Sequence, residues 1–143
     1  MNEIAIVAQA GVPRFDILVD GRRLAEHFVG RRGAHPANVV PLGWRAGEPD
    51  VERQTLEQLL GLAPSSLASG RVAVLVCELC GDIRCGALAV RIARRGPVLT
   101  WTDWAYENGY EPASELSWPT YPESFEFDLK QYERAFSNVV PSA

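Results

Sequence analysis

The sequence predicts an α+β domain built around an antiparallel sheet, with two or three helices that include a C-terminal helix. Three consecutive strand-like runs between residues 71 and 106 predict a central three-strand meander. Apolar residues at helical spacing recur in two other parts of the chain. The 143 residues are 47% apolar and 22% charged, which is typical of one soluble globular domain. We therefore predict a single domain over residues 1–143.

The N-terminal third predicts two strands followed by a long loop. Residues 3–9 (EIAIVAQ) and 15–19 (FDILV) are short β-like runs, and the following Asp20-Gly21 suits a tight turn with positive φ. Residues 22–29 fit a short helix as well as a strand. Residues 30–49 are punctuated by glycines and prolines and predict an irregular loop, a feature that is often functional.

The first α-helix is predicted over residues 51–60 (VERQTLEQLL). Asp50 can cap its N-terminus, and Gly61 is a natural stop. One stripe of this helix is apolar and consists of Val51, Leu56, Leu59 and Leu60.

The central meander consists of residues 71–79, 86–94 and 97–106. A turn at Arg95-Gly96 pairs Ile92 with Leu99, Val90 with Trp101 and Leu88 with Asp103. A second turn at Gly81–Arg84 pairs Cys77 with Leu88, Leu75 with Val90 and Ala73 with Ile92. One face then carries Ala73, Leu75, Cys77, Leu88, Val90, Ile92, Leu99 and Trp101, and the other carries Val72, Val74, Val76, Ala87, Ala89, Thr102 and Trp104.

The last third predicts an irregular stretch over residues 107–122 and then a short strand at Ser124–Phe127. Asp128 begins a D-x-x-Q capping pattern with Gln131. The C-terminal helix runs from Leu129 to about Ser137 and places Tyr132, Ala135 and Phe136 on one face.

The charge distribution limits the classes of partner. A net charge of -4 gives no general nucleic-acid-binding surface. Residues 101–143 hold eight acids, whereas residues 71–95 hold five of the thirteen arginines. This asymmetry is typical of a solvated surface, but it can also pair two surfaces within the fold or serve a partner. The N-terminus has no export pattern and no run spans a membrane, so we expect a cytoplasmic protein with reduced cysteines.

The three-cysteine segment (Cys77, Cys80 and Cys85) has the spacing C-x2-C-x4-C, and its Cys-Glu-Leu-Cys-Gly part looks like one zinc knuckle. A structural zinc site needs a fourth ligand, which His27, His35 or Asp82 would have to supply. The predicted register opposes chelation, because Cys77 and Cys80 point to opposite faces of a regular strand. A Cys80–Cys85 disulfide is geometrically possible. We favour three unlinked thiols over both.

Asp103 is the leading candidate for a catalytic acid or base. The predicted register places its carboxylate beside Leu99 and Trp101, where it must be hydrogen-bonded, ion-paired or protonated. The alternative is an acid at the sheet rim that binds backbone N–H groups or an arginine. The residues around it combine aromatic bodies with polar tips, which suit a ligand pocket, a partner surface or core packing: Trp101, Trp104, Tyr106, Glu107, Asn108 and Tyr110.

The segments CELCGDIRCGA and WTDWAYEN carry a family resemblance. The chain resembles small, uncharacterised actinobacterial proteins with a C-x-x-C-G-D-x-x-C-G-A segment followed by W-x-D-x-x-Y-E-N. The resemblance covers residues 71–110 and 123–136 and implies a shared fold unit without an activity.

Three functions follow from these features. The first is a small intracellular binding or interaction protein of accessory, immunity or resistance type, with an aromatic-rich site at the end of strand 97–106. Its partner is a protein or a small molecule, and its oligomeric state is open. The second is a zinc- or thiol-dependent enzyme that uses the three-cysteine segment. The third is a cofactor-free enzyme with Asp103 or Glu107 as acid or base.

Overall fold

A computed structural model of the chain describes residues 1–11, 14–28, 37–43, 47–77, 86–108, 120–137 and 139. These residues form two antiparallel sheets, two α-helices and a short 3-10 helix at Leu24–Phe28, which confirms the α+β class. The strands are β1 (Ile4–Ala8), β2 (Phe15–Val19), β3 (Arg22–Arg23), β4 (Ala37–Val39), β5 (Val72–Cys77), β6 (Ala87–Arg95), β7 (Val98–Glu107), β8 (Thr120–Tyr121) and β9 (Phe125–Asp128); the α-helices are α1 (Pro49–Leu59) and α2 (Leu129–Phe136).

The smaller sheet has the order β1-β2-β3. Asp20 and Gly21 have φ values of 53° and 79°, so the tight turn predicted from this dipeptide is confirmed. Residues 22–29, which fit either a strand or a helix, contain both, because β3 is followed at once by the 3-10 helix.

The larger sheet has the order β4-β5-β6-β7-β8, and β9 also pairs with β7. Two of its short strands, β4 and β8, lie in segments predicted to be irregular.

The β6–β7 turn corrects the predicted register of the meander. Arg95 pairs with Val98, so the turn is Gly96-Pro97 and not Arg95-Gly96. Gly96 supplies the positive φ at the first turn position, and proline at the second has no N–H to donate to the ladder. As a result Ile92 pairs with Trp101 instead of Leu99.

The β5–β6 register also differs from the prediction. Leu75 pairs with Leu88 and Ala73 pairs with Ala89, with an irregularity between the two pairs. This irregularity moves Ala73 off the face that carries Leu75 and puts Val72 opposite Val90 on that face. The predicted turn at Gly81–Arg84 lies outside the described residues.

A β-bulge in β7 changes which side chains share a face. Ala89 pairs with Ala105 and Arg91 pairs with Thr102, so two residues of β7 stand against one of β6. These two are Asp103, whose φ is 58°, and Trp104. The extra residue reverses the alternation, and Trp104 joins Trp101 in the core with ring centroids 5.9 Å apart. The predictions that Trp104 lies on the opposite face and that Asp103 faces Leu88 are therefore wrong.

The two helices begin in different ways. Helix α2 has the predicted cap, because the Gln131 N–H donates to the Asp128 carboxylate at 3.0 Å. Helix α1 begins at Pro49, and its N-cap Glu48 makes no side-chain cap hydrogen bond. Proline fixes φ near the helical value and is favoured in the first turn, so Asp50 lies inside the helix and does not cap it.

One cluster of buried side chains joins both sheets and both helices. It includes the fully buried Tyr132, whose hydroxyl accepts from the Trp101 indole N–H at 3.2 Å and donates to the Leu59 carbonyl at 2.5 Å. This hydroxyl therefore ties β7, α2 and the end of α1 together. No helix in the described part of the chain has the length and apolarity needed to cross a membrane.

Candidate functional site

The face of the larger sheet opposite the aromatic core is built from small side chains. Ala73, Ala89 and Ala105 pair across β5, β6 and β7, and Ala89 and Ala105 are buried. Small residues leave room above the strands for a long side chain. Arg71, which immediately precedes β5, extends over this region from Asp103 to Glu107.

Arg71 is the centre of a charged group that we call the bulge cluster: Ser69, Arg71, Arg91, Asp103 and Glu107. Its guanidinium donates to the Asp103 carbonyl at 2.8 Å, to the Asp103 carboxylate at 2.9 Å and to the Glu107 carboxylate at 3.0 Å. The Arg71 side chain is 13% exposed, so these bonds operate where water screens them weakly. All three nitrogens of the guanidinium are thereby used to hold the bulge and the end of β7.

Ser69 and Arg91 complete the hydrogen bonding of the bulge cluster. Ser69 donates from its hydroxyl to the Glu107 carboxylate at 2.7 Å. Arg91 donates to the second Asp103 carboxylate oxygen at 3.1 Å and to the Ser69 carbonyl at 3.1 Å. Both carboxylate oxygens of Asp103 are therefore engaged, each by a different arginine.

Within the bulge cluster, the electrostatics favour the charged forms of Asp103 and Arg71. The Arg71 hydrogen bond holds the pKa of the Asp103 carboxyl below its ordinary value, although partial burial opposes this shift. Burial by itself would lower the pKa of Arg71, but its bonds to Asp103 and Glu107 outweigh burial and raise it. Two guanidinium groups and two carboxylates give the cluster no formal net charge. It has the composition of a fixed ion-pair network and not of an anion or cation site.

The predicted aromatic site is placed mainly in the core. Trp101 and Trp104 are fully buried, and Tyr106 and Asn108 are buried at the end of β7. Trp104 also packs against Phe28, with ring centroids 4.7 Å apart. Its indole N–H has no hydrogen-bond partner among the described residues. Tyr110 lies outside the described residues.

Tyr106 packs on the backbone where β6 begins. A Cβ atom built on Gly86 would lie 1.7 Å from the Tyr106 hydroxyl oxygen, and Gly86 has a φ of 104°. Only glycine provides both this close approach and this backbone conformation. Gly86, which directly follows the three-cysteine segment, is therefore held against the Tyr106 side chain of β7.

The three-cysteine segment is described in part. Cys77 is buried at the end of β5, where it pairs with Ala37 of β4. Cys80 and Cys85 lie outside the described residues, as do the alternative ligands His35 and Asp82. Among the residues that are described, no group of three or more His, Cys, Asp or Glu side chains could hold a metal ion. The proposed metal ligation by this segment stays a prediction.

Sequence reasoning did not single out Ser69, Arg71 or Arg91 as site residues. The available signal was the uneven charge distribution, with an excess of arginine in residues 71–95 and an excess of acidic residues in residues 101–143. In the fold these segments do pair, because Arg71 and Arg91 bind acids of β7 and Arg94 contacts Glu133 of α2 at 3.4 Å.

No known family model, curated protein or solved structure matches this chain. Known proteins thus supply no activity, ligand or partner for it. The resemblance to small actinobacterial proteins likewise stays a prediction.

Proposed function

We propose that this chain is a small binding protein and that its partner contacts the exposed side of the bulge cluster, formed by Arg91 and Asp103. The observation that carries the proposal is the conformation of Asp103. This non-glycine residue is left-handed in the middle of a strand, and its side chain remains 44% exposed. Left-handed residues and β-bulges concentrate at functional sites, where the surrounding structure holds them in place.

The same geometry argues against Asp103 as an acid or base. A general base is effective when its pKa lies near the working pH. The pKa of Asp103 is lowered, and both of its carboxylate oxygens accept hydrogen bonds from arginine. The proton affinity of this group is therefore low, and each oxygen already accepts one arginine hydrogen bond while keeping a second acceptor position. A role in recognition suits it better than a role in proton transfer.

The chemistry of the exposed side indicates what it can recognise. Arg91 is 48% exposed and stands beside Asp103 of opposite charge, with the exposed Thr102 paired to Arg91 across the strands. Such a surface offers donors and acceptors close together on rigid strands. It favours a protein partner that presents one acidic and one donor group at matching spacing. The buried tryptophans of β7 then act as the support of this surface and not as its contact residues.

The test is affinity capture with two matched charge reversals. Arg91→Glu alters the proposed surface, whereas Arg53→Glu makes the same change on α1 at a residue of similar exposure (51%). We expect a partner captured by wild type and by Arg53→Glu to be lost with Arg91→Glu. Thermal unfolding should show both variants folded, because exposed ion pairs contribute about 0–1 kcal/mol. Equal capture by both variants would refute the assignment of the surface.

We infer a cytoplasmic location and no nucleic-acid partner, and the net charge of -4 supports the second of these inferences. The alternative of a zinc- or thiol-dependent enzyme depends on the three-cysteine segment, and bound zinc in the purified protein would support it.

A further inference from the structure

Strand β1 lies at the edge of the smaller sheet, and its outer side carries backbone groups available for pairing. Within the described residues β2 is the only strand that pairs with it. The direction of its backbone groups follows from Ile4, whose N–H and C=O both bond the Gln131 side chain, at 3.2 and 2.6 Å. Outward and inward residues alternate along an antiparallel strand. Ile6 and Ala8 therefore also point outward, while Ala5 and Val7 bond β2.

The composition of β1 leaves this edge unprotected. Its sequence IAIVA contains no charged residue and no proline, which are the usual means of blocking strand addition. Ala5, Val7 and Ala8 are exposed. No hydrogen bond from another described residue reaches the outward groups of Ile6 or Ala8. An extended strand is the kind of partner that satisfies two such residues together.

The spacing of these groups makes the edge self-complementary. In an antiparallel arrangement with a two-fold axis at Val7, Ile6 of one chain stands opposite Ala8 of the other, and the reverse pair forms by symmetry. Each pair exchanges two N–H···O bonds, so all outward groups of both residues are satisfied. Val7 meets its own copy, and neither strand places a charge opposite a like charge. The register cannot slide toward Ile4, because Gln131 already occupies that position.

We propose that β1 pairs antiparallel with β1 of a second copy of this chain and joins two three-stranded sheets into one of six strands. The contact is small, so the dimer forms reversibly as concentration rises. This interface is separate from the bulge cluster, and its failure leaves the proposed binding function unaffected.

The test is analytical ultracentrifugation of the tag-free protein from about 1 μM to 1 mM, the range expected for a small interface. We expect the average mass to rise from 15.7 kDa toward twice that value. Val7→Lys puts like charges face to face and should weaken association about tenfold or more. Val51→Lys is the matched control, because Val51 is 41% exposed on α1 and Val7 is 40% exposed. It should associate like wild type.

Amide hydrogen exchange locates the contact. The N–H groups of Ile6 and Ala8 should exchange more slowly at high concentration, whereas those of Ala5 and Val7 should be protected at every concentration. A mass that stays at 15.7 kDa throughout, equal association of Val7→Lys and wild type, or unchanged exchange at Ile6 and Ala8 would each overturn the proposal. Binding of another protein's strand to a monomer would overturn it as well.

Discussion

Tyr132→Phe tests the buried hydroxyl that links β7, α2 and α1. The substitution keeps the ring and removes one oxygen, so the packing of α2 against the aromatic cluster is retained. Two groups lose their partner at once, the Trp101 indole N–H and the Leu59 carbonyl. A buried polar group left unsatisfied costs about 1–3 kcal/mol. The two unsatisfied groups can shift slightly into the space that the hydroxyl leaves, which reduces the summed cost. We therefore expect a loss of about 2–4 kcal/mol in the free energy of unfolding.

The measurement is equilibrium urea unfolding followed by tryptophan fluorescence, with a thermal melt as a second readout. At this chain length about 2–4 °C in Tm corresponds to 1 kcal/mol, so Tm should fall by about 4–16 °C. Thr55→Val is the control, because it removes a hydroxyl whose bond to the Val51 carbonyl lies at the surface of α1. It should cost less than about 0.5 kcal/mol. A loss for Tyr132→Phe no larger than this would refute the view that the hydroxyl is a structural junction.

Three further predictions concern the neighbouring segments. Gly86→Ala should destabilise the fold by about 2 kcal/mol more than Gly21→Ala in urea unfolding, because the new Cβ meets Tyr106 only at Gly86. Gly21→Ala is the control, since both glycines have positive φ. Equal losses would contradict the close approach of Tyr106 to Gly86. Because the pKa of Asp103 is lower in the folded state than the unfolded value of 3.8, its ionised form stabilises the fold at pH values above 3.8. This stabilisation is lost as the pH falls through the pKa of the folded state. The difference in unfolding free energy between wild type and Asp103→Asn should therefore shrink below pH 3.8, and a difference independent of pH would argue against the ion pair with Arg71. If the three-cysteine segment binds zinc, tag-free protein should contain close to one zinc per chain by elemental analysis, and less than about 0.2 would exclude the site.

Local patterns were sufficient for most elements of this fold. The Asp20-Gly21 turn, the strands β1 and β2 and the cap of α2 each depend on residues close together in sequence, and each was predicted at its place. The start of α1 was misplaced because Pro49, and not Asp50, determines where the helix begins. The short strands β4 and β8 lack any local signal, because both form by pairing with a longer neighbour.

The sequence by itself determined the class of the fold and singled out Asp103 and its neighbours in β7 as candidates. The tertiary structure decided where their side chains lie, through one extra residue in β7. Period-two alternation cannot reveal a bulge, because an extra residue reverses the faces of everything beyond it. In β7 that reversal places Trp104 in the core and leaves Asp103 exposed between Arg71 and Arg91. Arg71 is 32 residues and Arg91 is 12 residues from Asp103 in sequence, so only the folded sheet brings them to it.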